Sequence, residues 1–162
     1  RDNRLNMIHE GTHGIQALDL LGRKVLMEDG AGLTLLAARI AATAARARAS
    51  AAPRAPEQAH ALQAAVQRVA EATRAAWATA VPEQALANAT PYLQAFGHVV
   101  LAWVWLDVAL AAQQSTQPAD FVQGKLQCCR YFHAFELPKI DAWLAVVAAR
   151  NPICRDMQDA WF

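Results

Sequence analysis

Five consecutive residues, His9-Glu10-Gly11-Thr12-His13, hold the densest chemistry in the chain. As H-E-x-x-H they match the zinc-peptidase signature, in which two histidines one helical turn apart bind the metal and the glutamate activates water. That geometry needs a continuous helix, and Gly11, Thr12 and Gly14 are poor residues for one. It also needs a third ligand. Asp19 lies too close for a separate helix to present it, Glu28 ends the same expected helix, and His60, His98 and His133 lack a metzincin-like spacing. The context does not suit zinc, and no metal ligand is assigned. A bare Glu-Gly-Thr is also a common surface turn, so the triplet alone carries no activity.

The elements that must position these residues are helical. Residues 1–8 read as the last turns of a helix that begins before Arg1, and Gly11 and Gly14 bracket a break. A helix is expected from Ile15 to Glu28, with Ile15, Leu18, Leu21 and Val25 on its inner stripe. Asp29-Gly30-Ala31-Gly32 ends it, and a second helix runs from Leu33 to Ala52 with Leu33, Leu36, Ile40 and Ala44 facing inward. Pro53-Arg54-Ala55-Pro56 is the clearest internal boundary, since closely spaced prolines exclude helix. Beyond it lie a long amphipathic helix from Glu57 to Ala80, with Leu62, Val66, Val69 and Trp77 inward, and a short one at Pro82. Thr90-Pro91 reads as an N-cap and a first-turn proline opening a helix to Gln114 that is apolar on most sides and therefore central. The last helix spans 118–150 with a kink at Pro138. The tail carries Met157, Trp161 and Phe162, apolar residues that suit docking.

Composition agrees with this reading. The 162 residues are 55% hydrophobic and rich in Ala, with seven Gly and seven Pro, which points to an all-α helical bundle. A net charge of +1 gives no reason to expect nucleic-acid binding. The local basic run of Arg39, Arg46, Arg48 and Arg54 reads as a solvated helix face. Cys128, Cys129 and Cys154 form no even framework and read as reduced thiols of a cytoplasmic protein. Arg1-Asp2-Asn3-Arg4 is unlike a signal peptide. The most apolar stretch, Val99 to Ala112, is too short for a bilayer and carries Asp107, so no membrane span is expected. The five tryptophans read as core anchors, His98 and His133 as satisfied core histidines, and Lys125 as structural. The missing initiator Met reads as the interior of a longer protein.

Beyond these patterns, Arg1-Asp2, then Ile8-His9-Glu10-Gly11-Thr12, then Ile15-Gln16 resemble the stretch of acyl-CoA dehydrogenases that bears the catalytic glutamate, usually Tyr-Glu-Gly-Thr followed by Ile-Gln. The run from Gly14 to Lys24 (Gly-Ile-Gln-Ala-Leu-Asp-Leu-Leu-Gly-Arg-Lys) resembles the bacterial branch with an appended C-terminal helical domain, which includes enzymes acting on 3-methylmercaptopropionyl-CoA. Tyr92, Leu93, Phe96, Gly97, His98, Ala102, Trp103, Trp105 and Gly124-Lys125 resemble that appended domain. Two departures stand out: His9 replaces the usual Tyr, and His13 stands where relatives often have Asn.

The resemblance implies that residues 1–52 end the dehydrogenase's C-terminal bundle and that 57–162 form the appended domain. It implies Glu10 as the base that abstracts an α-proton, Gly11 against the substrate thioester, and Thr12, His13 and Gly14 near the flavin of FAD. It implies an acyl-CoA substrate, an electron-transferring flavoprotein as acceptor, and a homo-oligomer. The missing strand-rich part implies an incomplete flavin site and an inactive isolated chain. The competing class is a helical dimerisation or docking module without catalysis.

Overall fold

The structure, a computed structural model, describes residues 12–162. Seven α-helices follow one another: α1 (His13–Asp19), α2 (Met27–Ala49), α3 (Ala55–Ala76), α4 (Pro82–Leu86), α5 (Ala89–Gln113), α6 (Ala119–Tyr131) and α7 (Ile140–Ala148). No strand occurs among the described residues. The all-α bundle expected from composition is thus what forms.

The bundle is organised around α5, which packs against α1, α2, α3, α6 and α7. Its sequence is apolar on most sides, so it has no wet face to turn outward over much of its length, and neighbours must cover it. Tyr92, Ala95, Ala102 and Leu106 are fully buried along it. It is long and apolar enough to cross a membrane by length and composition; here its neighbours are the other helices of the bundle. Alanine lines the contacts: Ala17, Ala44, Ala59, Ala65 and Ala76 are inaccessible to solvent. Such small side chains let helix backbones approach closely, with Ile40, Leu62, Ile140 and Leu144 filling the gaps. One core cluster runs from Ala17 to Val147, and α2 packs on α3 across the proline linker.

The inner faces expected for α2 and α3 are observed: Ile40, Ala44, Leu62 and Val69 are buried, with Leu36, Val66 and Trp77 packed at the margin. The first helix departs from expectation. α1 ends at Asp19 and passes into a π-helical turn, Leu20–Lys24, closed by the Val25 amide donating to the Leu20 carbonyl at 3.1 Å. Leu21 and Val25 are buried as expected, joined by Ala17 at the four-residue spacing of one helix face, while Ile15 and Leu18, expected on the same stripe, stay exposed. The wider turn frees the Leu21 carbonyl, which accepts from the Trp77 indole N–H at 3.1 Å. Glu28, Asp29 and Gly30 are all left-handed (φ 50°, 55° and 82°), so the expected break falls there. For Glu28 and Asp29 that conformation costs about 1–2 kcal/mol each.

Two cap expectations are corrected. α3 starts at Ala55, with Pro56 inside its first turn, because a proline there forfeits no intrahelical bond; Arg54 turns the chain in a left-handed conformation. α5 starts at Ala89, so Thr90 is inside the helix and Asn88 flanks it. The Asn88 side chain does not cap; it donates to the Asn151 carbonyl at 2.9 Å, tying down the start of the tail. The kink expected at Pro138 is present as a π-turn, Phe132–Glu136, and a short 3-10 turn, Leu137–Lys139, since proline removes a ladder donor. Trp161 is not a core anchor: it is exposed with Met157 and Phe162 at the end of the tail.

Removing side chains from the central helix tests this architecture. Leu106→Ala empties a fully buried site and should destabilise by about 2–5 kcal/mol. Leu101→Ala, on the exposed side of the same helix, should stay within about 0.5 kcal/mol. Urea unfolding of both variants measures the contrast; equal losses contradict the assigned faces.

Candidate functional site

Among the residues singled out for chemistry, Glu10, Gly11 and His9 lie outside the described residues, and Thr12, His13 and Gly14 lie inside. The helix expected to open at Ile15 opens two residues earlier, at His13, with Thr12 flanking it. The Thr12 carbonyl accepts from the Gln16 amide at 2.7 Å, closing the first turn. The Thr12 side chain makes no cap, which leaves the first-turn N–H groups of α1 without an intrahelical partner. Thr12, His13 and Gly14 are all exposed. A Cβ built on Gly14 meets no atom within 4 Å among the described residues, so packing among them does not require glycine there.

The remaining histidines lie on different elements. His60 is on α3, His98 on α5 and His133 in the π-turn after α6. Among the described residues no three His, Cys, Asp or Glu side chains gather where a metal could sit. His133 offers one ring nitrogen, Nε2, to the Ala102 carbonyl at 3.1 Å, while its buried Nδ1 has no partner among the described residues. Burial pushes this imidazole towards the neutral form. His98 donates from Nδ1 to the Gln94 carbonyl at 2.9 Å, four residues back on α5, and meets the Trp143 ring edge-on at 4.8 Å between centroids. Lys125 lies 5.0 Å from the centroid of Phe121. His98 packs against its neighbours as the sequence led one to expect, whereas His133, read as a satisfied core histidine, keeps one buried ring nitrogen without a partner among the described residues.

One polar cluster escaped the sequence reading. Glu136, in the π-turn, accepts from Lys139 at 2.6 Å and from the Tyr131 hydroxyl at 3.2 Å, with His98 Nε2 at 3.6 Å. The Lys139 ammonium above all holds this carboxyl below its usual range, with Tyr131 and His98 adding to the effect. A carboxylate so held is a poor proton acceptor at neutral pH, because a general base works best with a pKa near the operating pH. It serves as a clamp between α5 and the bend before α7. The only sequence signal was Pro138, which marks the bend and not the partners.

Two of the surface grooves lie beside these elements. One of about 250 Å³ lies between the start of α3 and the bend after α6, walled by Arg54, Gln58, Arg130 and His133. Another of about 370 Å³ is walled by Leu20, Val25, Met27, Leu33 and Phe96, with Lys24 and Glu28 beside them. Neither includes Thr12, His13 or Gly14.

Two measurements follow. Burial pushes the Cys129 thiol up to about 12, so it stays protonated, and the thiolate is the reactive form. Iodoacetamide should label exposed Cys128 and Cys154 in the native chain and Cys129 only after denaturation; native labelling of Cys129 contradicts its placement. Because the Glu136 carboxyl is depressed in the folded state, its stabilisation is present above the unfolded carboxylate pKa and is lost as pH falls through the folded value. The stability gap between the chain and Glu136→Gln should therefore be full at neutral pH and close in acid, as read by thermal melts across pH.

Comparison with known proteins gives this bundle a family. Residues 36–158 match the family model described as "Acetyl-CoA dehydrogenase C-terminal like". The chain is 36% identical over 145 residues to 3-methylmercaptopropionyl-CoA dehydrogenase of Ruegeria pomeroyi, a match covering 82% of this chain and 23% of that relative. The chain therefore spans less than a quarter of the length of the curated relative it matches. With its all-α architecture and a match over most of its length, the chain belongs to the acetyl-CoA dehydrogenase C-terminal-like family, the helical C-terminal portion of acyl-CoA dehydrogenases.

Proposed function

We propose that this chain is the C-terminal part of a flavin-dependent acyl-CoA dehydrogenase, with Glu10 as the base that removes the substrate's α-proton. The single observation that carries the reading is the match to 3-methylmercaptopropionyl-CoA dehydrogenase over 82% of the chain, joined to Glu10-Gly11-Thr12 and Ile15-Gln16 at the spacing of the catalytic stretch. Residues 1–52 close the dehydrogenase bundle in this reading, and 57–162 form the appended domain.

The reaction forms a carbon–carbon double bond next to a thioester carbonyl. The α C–H bond breaks and its proton goes to the Glu10 carboxylate; the β C–H bond breaks with its electron pair, as a hydride. FAD, held in part along Thr12, His13 and Gly14, would supply the acceptor for that hydride. The α-proton of a thioester is weakly acidic, so the base must sit within hydrogen-bond reach and the developing enolate charge must be stabilised. An apolar site that excludes water raises a carboxyl's pKa and makes it a better base. Gly11 lets the thioester approach the backbone closely. Thr12, His13 and Gly14 are exposed, and with the uncapped first turn of α1 they suit the dinucleotide's pyrophosphate. Neither groove contains these three residues, so they fit as an edge of a flavin site and not as its enclosure. The strand-bearing remainder would supply the rest, along with the electron-transferring flavoprotein contact and subunit interfaces.

A second reading, a docking module without catalysis for residues 57–162, draws on the apolar side chains left outside the bundle by α5 and the bend after α6, including Leu101, Val104 and the stacked pair Tyr131–Phe135.

The test begins with the intact mass and reading frame of the source protein, followed by Glu10→Gln in that full-length protein. Retained flavin with turnover of an acyl-CoA reduced by about a hundredfold to ten-thousandfold, the usual share of a general base, supports the base assignment. Loss of assembly with turnover per folded enzyme unchanged favours the module. The isolated 162-residue chain should show no turnover, and appreciable activity from it contradicts the proposal.

A further inference from the structure

We infer that the groove between the start of α3 and the bend after α6 binds inorganic phosphate; the inference depends neither on Glu10 nor on the dehydrogenase reading. Two guanidinium groups reach this groove from different elements. Arg54 turns the chain in a left-handed conformation just before α3, and Arg130 lies in the last turn of α6. Both line the same space of about 250 Å³. Arg130 enters no ion pair among the described residues. Arg54 is paired loosely, its Nη1 at 4.0 Å from a Glu57 carboxylate oxygen. A guanidinium carries five N–H donors, so both arginines keep donors to spare, and they outnumber the one carboxylate in the wall.

The rest of the wall suits an oxyanion as well. α3 is 22 residues long and no side chain caps its start, so its first-turn N–H groups put partial positive charge at this end. Gln58, buried, brings an amide to the same wall. Ala61 and Ala134 complete it, and neither side chain is large enough to fill the space between the arginines.

His133 selects among anions. Its Nε2 holds the Ala102 carbonyl at 3.1 Å, so the neutral ring leaves Nδ1 as an acceptor. That nitrogen is buried and has no partner among the described residues, a rare condition in native proteins, and the ring lines the groove. An occupant that satisfies Nδ1 must bring a proton. Inorganic phosphate carries a P–OH at neutral pH, whereas sulfate and carboxylates carry no such group and can use only the arginines. A phosphate monoester loses its last P–OH proton near about pH 6, so it behaves like sulfate at higher pH. Nδ1 is covered as the ring stands, and the hydroxyl reaches it through a small shift of the ring or of the exposed Arg130 side chain.

Phosphate titration of the full 162-residue chain, followed by nitrogen-15 NMR above about pH 7 at constant ionic strength, tests this. Amides within 54–61 and 130–134 should shift and saturate with a dissociation constant of about 1 mM, and the His133 Nδ1 signal should move with them. Sulfate and phenyl phosphate should each bind about fivefold more weakly, the share of one lost hydrogen bond. Arg130→Gln should weaken phosphate about tenfold, the share of a charge-assisted bond, while Arg46→Gln, beside Asp107 on α5, should leave it unchanged. Both arginines are exposed, so unchanged melting shows that each variant keeps the fold. Shifts that never saturate, or that chloride reproduces at equal ionic strength, overturn the inference. So do equal affinities for sulfate and phosphate, tighter binding of phenyl phosphate, or an Arg130→Gln chain that binds phosphate undiminished.

Discussion

The fold depends on the need to cover α5. A helix of 25 residues that is apolar on most of its circumference has no stable place at a water-facing edge, so the rest of the chain is arranged to enclose it. α2, α3 and α7 do so through alanine-lined contacts, and α1 and α6 close the remaining sides. Small side chains contribute little hydrophobic area each, but they bring backbones near and let a few larger residues fill the space without voids. The ion pairs between elements, Arg46 with Asp107 and Arg68 with Asp141, are exposed and worth about 0–1 kcal/mol. They assist register more than stability.

The irregular turns are consequences of the same packing. A π-turn adds a residue to a helical turn and frees backbone groups that must find partners. At Leu20–Lys24 Leu21 and Val25 stay inward through the turn, and the freed Leu21 carbonyl accepts a hydrogen bond from the Trp77 indole N–H. After α6, the widened turn places His133 against the Ala102 carbonyl of α5 and Glu136 within reach of Lys139, Tyr131 and His98. Polar side chains in this bundle therefore serve the backbone first. That is why its histidines and its depressed carboxylate, although they look chemical in isolation, brace the fold.

In the proposed enzyme, a domain built this way would support catalysis by position. The chemically dense residues sit at one end of the chain, immediately before the element that docks on α5, and the bundle fixes where that element begins. In the proposed enzyme the bundle would hold the α1 start rigidly while the reacting groups face a site completed by other parts of the protein. Rigid elements give such a site its precision.

Much of this was legible in the residues themselves. Alanine richness and the absence of strand patterns determined an all-α bundle, the apolar run from Val99 to Ala112, interrupted by Asp107, determined that α5 would be central, and Pro138 marked a bend, because composition, periodicity and a missing N–H act locally. The spacing around Glu10 pointed to the family through resemblance, and the family match bears that out. The Glu136 cluster, the His133 contact and the exposure of Ile15, Leu18 and Trp161 were decided only by the tertiary structure. Each depends on which turn widens and which distant helix lies opposite, and a one-residue change in helical pitch rotates every later side chain by about 100°. Local sequence specifies the helices; their mutual packing sets the phase in which each one presents its faces.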